Sequence, residues 1–392
     1  MTTEQLFLLE LIKNSIWNTC DVSFITKDVN VDLQKVIKES TQARMCTVAF
    51  EGLNKLIVNN EYVPRDNDKE NLVYWRKMSV LEIINNKNIF KIQESTVKML
   101  EENDIPYCII KGSSVAQYYP NSAQRRMGDI DIYVGPVRFK EACDLFIKNN
   151  YEEEGTYSEY HTAYKKNGVE IEVHNAFSGL PVGKTRNSVY QLVDSCNRRI
   201  NSKINEISFY EPAKEDNILI LLIHMIHHAV EDGLTLRQMC DWMLFVNNNI
   251  DDAAWNGGIS ELLRKANLNH AAKIFTKFCD YYMGLDNQNI TWYKDVMQED
   301  VKNLLEFLFK EPVIKGIGKK SEGLPQNLWD YQRQVDVNYE ARIVGRTLGK
   351  LLSGEKSIKQ VYARYRNVKD IRKKLVMLNL FTYKDSKDYA MQ

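Results

Sequence analysis

The sequence predicts an α+β fold, a small mixed sheet with helices before it and a helical domain after it. Apolar residues recur at helical spacing over most of residues 4–103 and again beyond residue 211. Between those stretches lie short runs rich in Ile, Val and Tyr, bounded by Gly, Pro and Asn-Gly turns. One such run places Asp129 and Asp131 two residues apart, hence on one strand face.

Leu6, Leu9, Ile12 and Ile16 predict a helix over 4–18, and Leu33, Ile37, Met45, Val48 and Leu56 predict one over 31–59. After the polar connector Tyr62 to Lys69, helices are expected at Leu72–Asn85 and Phe90–Asn103, the second stopped by Asn103 to Pro106. Tyr107–Ile110 reads as a strand breaking at Lys111-Gly112-Ser113-Ser114 into a helix start. Asp129–Val134 is a second strand, and Val137–Asn149 an amphipathic helix through Phe139, Cys143 and Phe146. Tyr160–Lys165 and Val169–His174 flank Asn167-Gly168, the strongest short hairpin signal. A loop marked by Gly179, Pro181 and Gly183 leads to a last strand, Ile204–Phe209. Helices follow at Lys214–Asp232, Thr235–Asn247, Ile259–Lys265, Ala271–Met283 and Val301–Phe309. Residues 311–330 read as a linker, Asn338–Leu352 and Ser357–Leu378 as basic helices, and the last dozen residues as frayed. The expected divisions are an N-terminal helical region (1–103), a core (104–210), a helical domain (211–310), and a linker with a basic tail (311–392).

A 44% apolar and 27% charged composition with zero formal net charge is that of an ordinary globular protein without a global field for nucleic acid. The charge is uneven, with 17 Lys and Arg against 9 Asp and Glu from Glu311 onward. Seven scattered cysteines argue against a disulfide framework or a thiolate zinc site and suit a reducing compartment. No basic leader precedes the first apolar residues, and no apolar run approaches the roughly 20 residues of a membrane helix. A cytoplasmic location without a transmembrane segment is therefore expected.

Two carboxylates on one strand face repel each other, and a shared divalent cation removes that cost. Val169–His174 offers a further acid, since Glu170, Glu172 and His174 share a face; Glu172, mid-strand, is the first choice and Glu170 the second. Gly112 lets backbone N–H groups approach phosphate, and a helix start favours its charge. Oxygen ligands of this kind suit Mg²⁺, with Mn²⁺ as a substitute, and paired ions stabilise attacking and leaving oxygens in phosphoryl transfer.

These residues resemble the DNA-polymerase-β-like nucleotidyltransferase superfamily. More closely, the chain is similar to the bacterial uncharacterised nucleotidyltransferases associated with surface-polysaccharide loci. Ile110-Lys111-Gly112-Ser113, Arg126 through Asp129 and Asp131 to Val134, Glu172 to His174, and Leu236-Arg237 to Asp241 carry the resemblance, which spans roughly Tyr107 to Val246. It implies that Asp129, Asp131 and Glu172 are catalytic metal ligands and that Gly112 and Ser113 contact phosphate. Lys111, Ser114, Arg126, His174 and Arg237 complete the expected nucleotide-binding set. Lys111 departs from the usual apolar residue, and the interval to Asp129 is long, with Arg125 and Arg126 near its end. The implied reaction moves an NMP group from an NTP to an acceptor hydroxyl or phosphate, small-molecule or glycan-related, releasing pyrophosphate.

Blander readings stand beside these. Asp-x-Asp occurs as a turn or cap feature, and for Arg125 and Arg126 in a loop a solvated charge run is the ordinary explanation. Arg237 and Asp241 are spaced for an i,i+4 ion pair. His174 fits substrate contact, support of Glu172, or packing. His224 and His228 have zinc-ligand spacing, but no metalloprotease glutamate lies between them. The basic tail suits RNA or an anionic glycan. The alternatives are a toxin-type nucleotidyltransferase acting on RNA or protein, a non-catalytic nucleotide-binding module, and zinc-dependent hydrolysis with His224 and His228 as ligands.

Overall fold

A computed structural model describes residues 1–25, 31–158, 160–231, 233–309 and 358–390. Helix α1 (Thr3–Trp17) starts at a reciprocal cap between Thr2 and Gln5. The stretch read as one helix over 31–59 is two, α2 (Leu33–Gln42) and α3 (Cys46–Val58), because Arg44 takes a left-handed backbone (φ 58°) between them. Gly52 lets α3 lie directly on α1: a Cβ there would sit 1.9 Å from the Leu11 carbonyl oxygen. The two helices expected over 72–103 are one, α4 (Lys69–Glu102).

The sheet is mixed, in the order β1-β2-β5-β4-β3, from β1 (Cys108–Ile109), β2 (Asp129–Tyr133), β3 (Glu152–Ser158), β4 (His161–Lys166) and β5 (Val169–His174). Only β2 and β5 run parallel, with Asp129 opposite Glu170 and Asp131 opposite Glu172. Short α5 (Gly112–Ala116) follows β1, and α6 (Gly135–Lys148) follows β2. Asn167 and Gly168, both at positive φ, turn β4 into β5 as the sequence predicts. The last strand is a separate hairpin, β6 (Ile200–Ile204) and β7 (Ile207–Glu211), and the preceding loop contains 3₁₀ turns over Gly183–Asp194.

Helices α7 (Lys214–Val230), α8 (Leu236–Asn249), α9 (Asp252–Ala254), α10 (Ser260–Lys265), α11 (Asn269–Met283), α12 (Lys302–Phe309), α13 (Ile358–Met377) and α14 (Ser386–Ala390) complete the described chain. The end expected to fray is anchored, since Tyr389 is fully buried and its hydroxyl donates to the Ala266 carbonyl at 2.7 Å. The linker 311–330 and the helix Asn338–Leu352 lie outside the described residues. None of the described helices is long and apolar enough to cross a membrane.

Two apolar cores hold this together. One joins the second half of α4 (Ile89, Phe90, Val97, Leu100) to α6 and the sheet residues Ile130, Ile132, Ile171 and Val173. The other unites α1–α3 with α7, α8, α11 and the C-terminal helices. The acid-bearing end of β2 and β5 faces α7 and α8 across a cleft.

Candidate active site

The cleft begins where β1 ends. The Ile110 N–H donates to the Asp131 carbonyl at 3.1 Å, which fixes β1 beside β2 up to the turn. Lys111 then takes φ 56°, ψ −135°, a conformation costly for any residue with a Cβ, and Gly112 follows at φ 24°. This kink sends the lysine side chain back over β2, where its Nζ lies 2.8 Å from Asp131 Oδ1. Ser113 and Ser114 are buried, their hydroxyls donating to the Gln93 side chain and to the Lys111 carbonyl, so both hold the turn. At five residues, α5 is too short to offer the dipole expected of a helix start.

Strand pairing assembles the acids. Because β2 and β5 are parallel and in register, Asp131 and Glu172 stand side by side, with Asp129 one pleat away. Carboxylate oxygens of all three lie within 4.8 Å of one another, and Glu170 is not part of this group. His174, buried, brings Nε2 to 2.9 Å from Asp131 and 3.2 Å from Glu172. His161 on β4 approaches the other oxygen of Glu172 at 3.5 Å.

The charges sort themselves accordingly. The charge of the neighbouring Asp131 carboxylate, then burial and Glu172, raise Asp129 to about 6. Asp131 itself is fully buried, which opposes ionisation, yet Lys111 and His174 outweigh this and hold it below the usual carboxylate range. Burial opposes ionisation of Glu172, yet the hydrogen bond from His174 and the charges of His174 and His161 together lower it as well. The two carboxylates raise His174 despite its burial.

The opposite wall is cationic and imidazole-rich. Arg44, His224, His228, Arg237 and Gln238 line the cleft facing Lys111, Gly112, Asp129 and Asp131. Burial, then the neighbouring Arg125, lowers Arg237 to about 10, and its buried Nε has no hydrogen-bond partner. Its Nη1 donates to the Arg126 carbonyl at 3.3 Å. Burial drives His224 well below the usual histidine range and His228 to about 3.

Three expectations change here. Asp241 does not serve Arg237; it receives both Nε and Nη2 of Arg125 at 2.8 and 2.7 Å, plus the Tyr119 hydroxyl at 2.8 Å. Arg125, read as loop charge, is thus 4% exposed and structural. Arg126 points away from the acids toward Glu82, 3.6 Å distant. His224 and His228 pack edge to face at 4.4 Å, and no third ligand completes a metal group with them among the described residues. Arg44 and His161 were not anticipated. Nothing in the periodicity marks Arg44, whereas counting outward from the two-residue turn pairs Lys166 with Val169 and therefore His161 with His174.

The family described as uncharacterised nucleotidyltransferase matches residues 30–284. Among solved structures, an antigenic nucleotidyltransferase-like protein from Paracoccidioides brasiliensis is 15% identical over 47% of this chain and 91% of that chain. The TM-score between the two is 0.31. No curated protein matches the chain.

Proposed function

The chain belongs to the uncharacterised nucleotidyltransferase family, and from that premise we propose that it moves an NMP group from an NTP to an acceptor hydroxyl or phosphate. A bond forms between the acceptor oxygen and the α-phosphorus as the α,β-bridging bond breaks, and pyrophosphate leaves. A hydroxyl acceptor gives its proton to the carboxylate cluster. The observation that carries this reading is the parallel register that sets Asp131 beside Glu172, with Asp129 within reach and a cationic wall across the cleft.

The acids fit a hard divalent cation: three oxygen donors lie close together, and Asp129 is short of positive charge, as its rise to about 6 indicates. Asp129, Asp131 and Glu172 would hold Mg²⁺, or Mn²⁺ in its place, and the ion supplies charge neutralisation at the phosphoryl oxygens. Lys111 and Gly112 meet the triphosphate from the sheet side, and Arg237 and Arg44 from the other wall, by charge-assisted hydrogen bonds. His174 orders Asp131 and Glu172, and Arg126 positions Arg237 through its carbonyl. Ser113 and Ser114 keep the turn in shape.

Thermal unfolding with Mg²⁺ and each of the four NTPs tests this. Binding at 100 times Kd stabilises the native state by about 2.7 kcal/mol. At least one NTP should raise Tm in a Mg²⁺-dependent way, and Asp129→Asn with Asp131→Asn should remove the rise while the variant stays folded. An unchanged rise in the double variant overturns the assignment.

A further inference from the structure

Two imidazoles crowd the same strand pair as the carboxylates. The register set by the Asn167–Gly168 turn pairs His161 with His174, and pleating puts Glu172 on that face. Glu172 offers one oxygen to each ring, Oε1 at 3.5 Å from His161 Nε2 and Oε2 at 3.2 Å from His174 Nε2. The ring centroids are 5.0 Å apart. One ligand atom from each of the three residues can be chosen so that all lie within 4.8 Å of one another.

We infer that His161, Glu172 and His174 form a second cation site, selective for a borderline transition ion and sharing Glu172 with the carboxylate trio. Two imidazole nitrogens and one carboxylate oxygen suit Zn²⁺ or Co²⁺, whereas three carboxylates suit Mg²⁺. All three ligands stand on two strands locked by a tight hairpin, so the donor set is held in place before any ion arrives. His174 Nδ1 is buried without a hydrogen-bond partner. A small cavity bordered by Phe177, Ser178 and His224 adjoins that ring, and ligating imidazoles commonly carry an outer hydrogen bond on their second nitrogen. An ion on Nε2 takes the place of the hydrogen bond to Asp131 at 2.9 Å. Because Glu172 belongs to both groups, a transition ion here draws an oxygen away from the trio and competes with Mg²⁺. The site stands on the β4–β5 geometry and does not depend on the nucleotide reading.

Proton NMR of the full chain, stripped with chelator and loaded with Co²⁺, tests it. Two sets of strongly shifted imidazole ring resonances are expected, one per histidine. His161→Gln should remove at least one set and weaken Co²⁺ binding by about tenfold or more. Asp129→Asn should keep both sets while losing the Mg²⁺-dependent nucleotide response, so the two readings fail separately. Fewer than two shifted sets in the native chain, or two surviving in His161→Gln, overturns the site. Should His161→Gln fail to fold, His224→Ala decides: both sets should survive it, and their loss overturns the site.

Discussion

Asp129 and Asp131 show how neighbours two residues apart acquire opposite characters. Lys111 and His174 both reach Asp131, and Asp129 is left with the repulsion. Its folded-state value of about 6 lies above that of an unfolded aspartate, so without a cation the folded chain takes up a proton that the unfolded chain releases. The sign follows: this group adds stability as pH falls from about 6 toward 4 and withdraws it as pH rises. A divalent ion competes with that proton, so Mg²⁺ affinity, measured calorimetrically, should weaken as pH drops through about 6. In Asp131→Asn the midpoint should move down toward the ordinary carboxylate range. The acids were legible because Asp-x-Asp and Glu-x-His on strands have few structural uses. The lysine's return over Asp131 was not, since it depends on a left-handed backbone at Lys111 that nothing in its side chain announces.

At the level of elements, the buried Arg125–Asp241 pair ties the loop entering β2 to α8, and so fixes one wall of the cleft against the other. Removing one partner strands a buried charge, which costs about 3–5 kcal/mol, whereas replacing both by apolar groups of similar volume is often neutral. Arg125→Met should lower unfolding free energy by that amount in urea titrations, and Arg125→Met with Asp241→Leu should recover most of it. Sequence spacing suggested the wrong partner because an i,i+4 rule sees one helix only. The same blindness divided α4: Asn85 and Asn86 interrupt its apolar pattern, yet Asn86 is buried and its amide serves the carbonyls of Ala123 and Arg125. Strand β3 escaped notice because Glu152, Glu153 and Glu154 read as solvent-facing, which is how an edge strand avoids pairing with other chains.

Across the whole molecule, the α+β class followed from helical periodicity and turn-bounded strand runs. Helices α1, α6, α7, α8 and α12 lie within two residues of their expected ends, whereas the helix expected over 31–59 divides in two and the pair expected over 72–103 fuses. What periodicity could not reveal was which helices share a core. Tyr389 is an example, an aromatic in a polar stretch that proves fully buried, its hydroxyl on the Ala266 carbonyl at the end of α10 and its ring stacked on Phe381. Tyr389→Ala should cost roughly 3–5 kcal/mol, as large aromatic truncations do, read as a lower urea midpoint with an unchanged slope. The same core has a consequence for biosynthesis. Trp17 at the end of α1 donates its indole N–H to the Met283 carbonyl at 3.0 Å, across 266 positions of sequence. A ribosome must make the entire sheet before α11 arrives, so α1 and α3 leave the exit tunnel long before their final covering exists. Contacts of such separation slow folding, and prematurely terminated products lacking α11 would carry an uncovered apolar face, the kind of surface that chaperones hold.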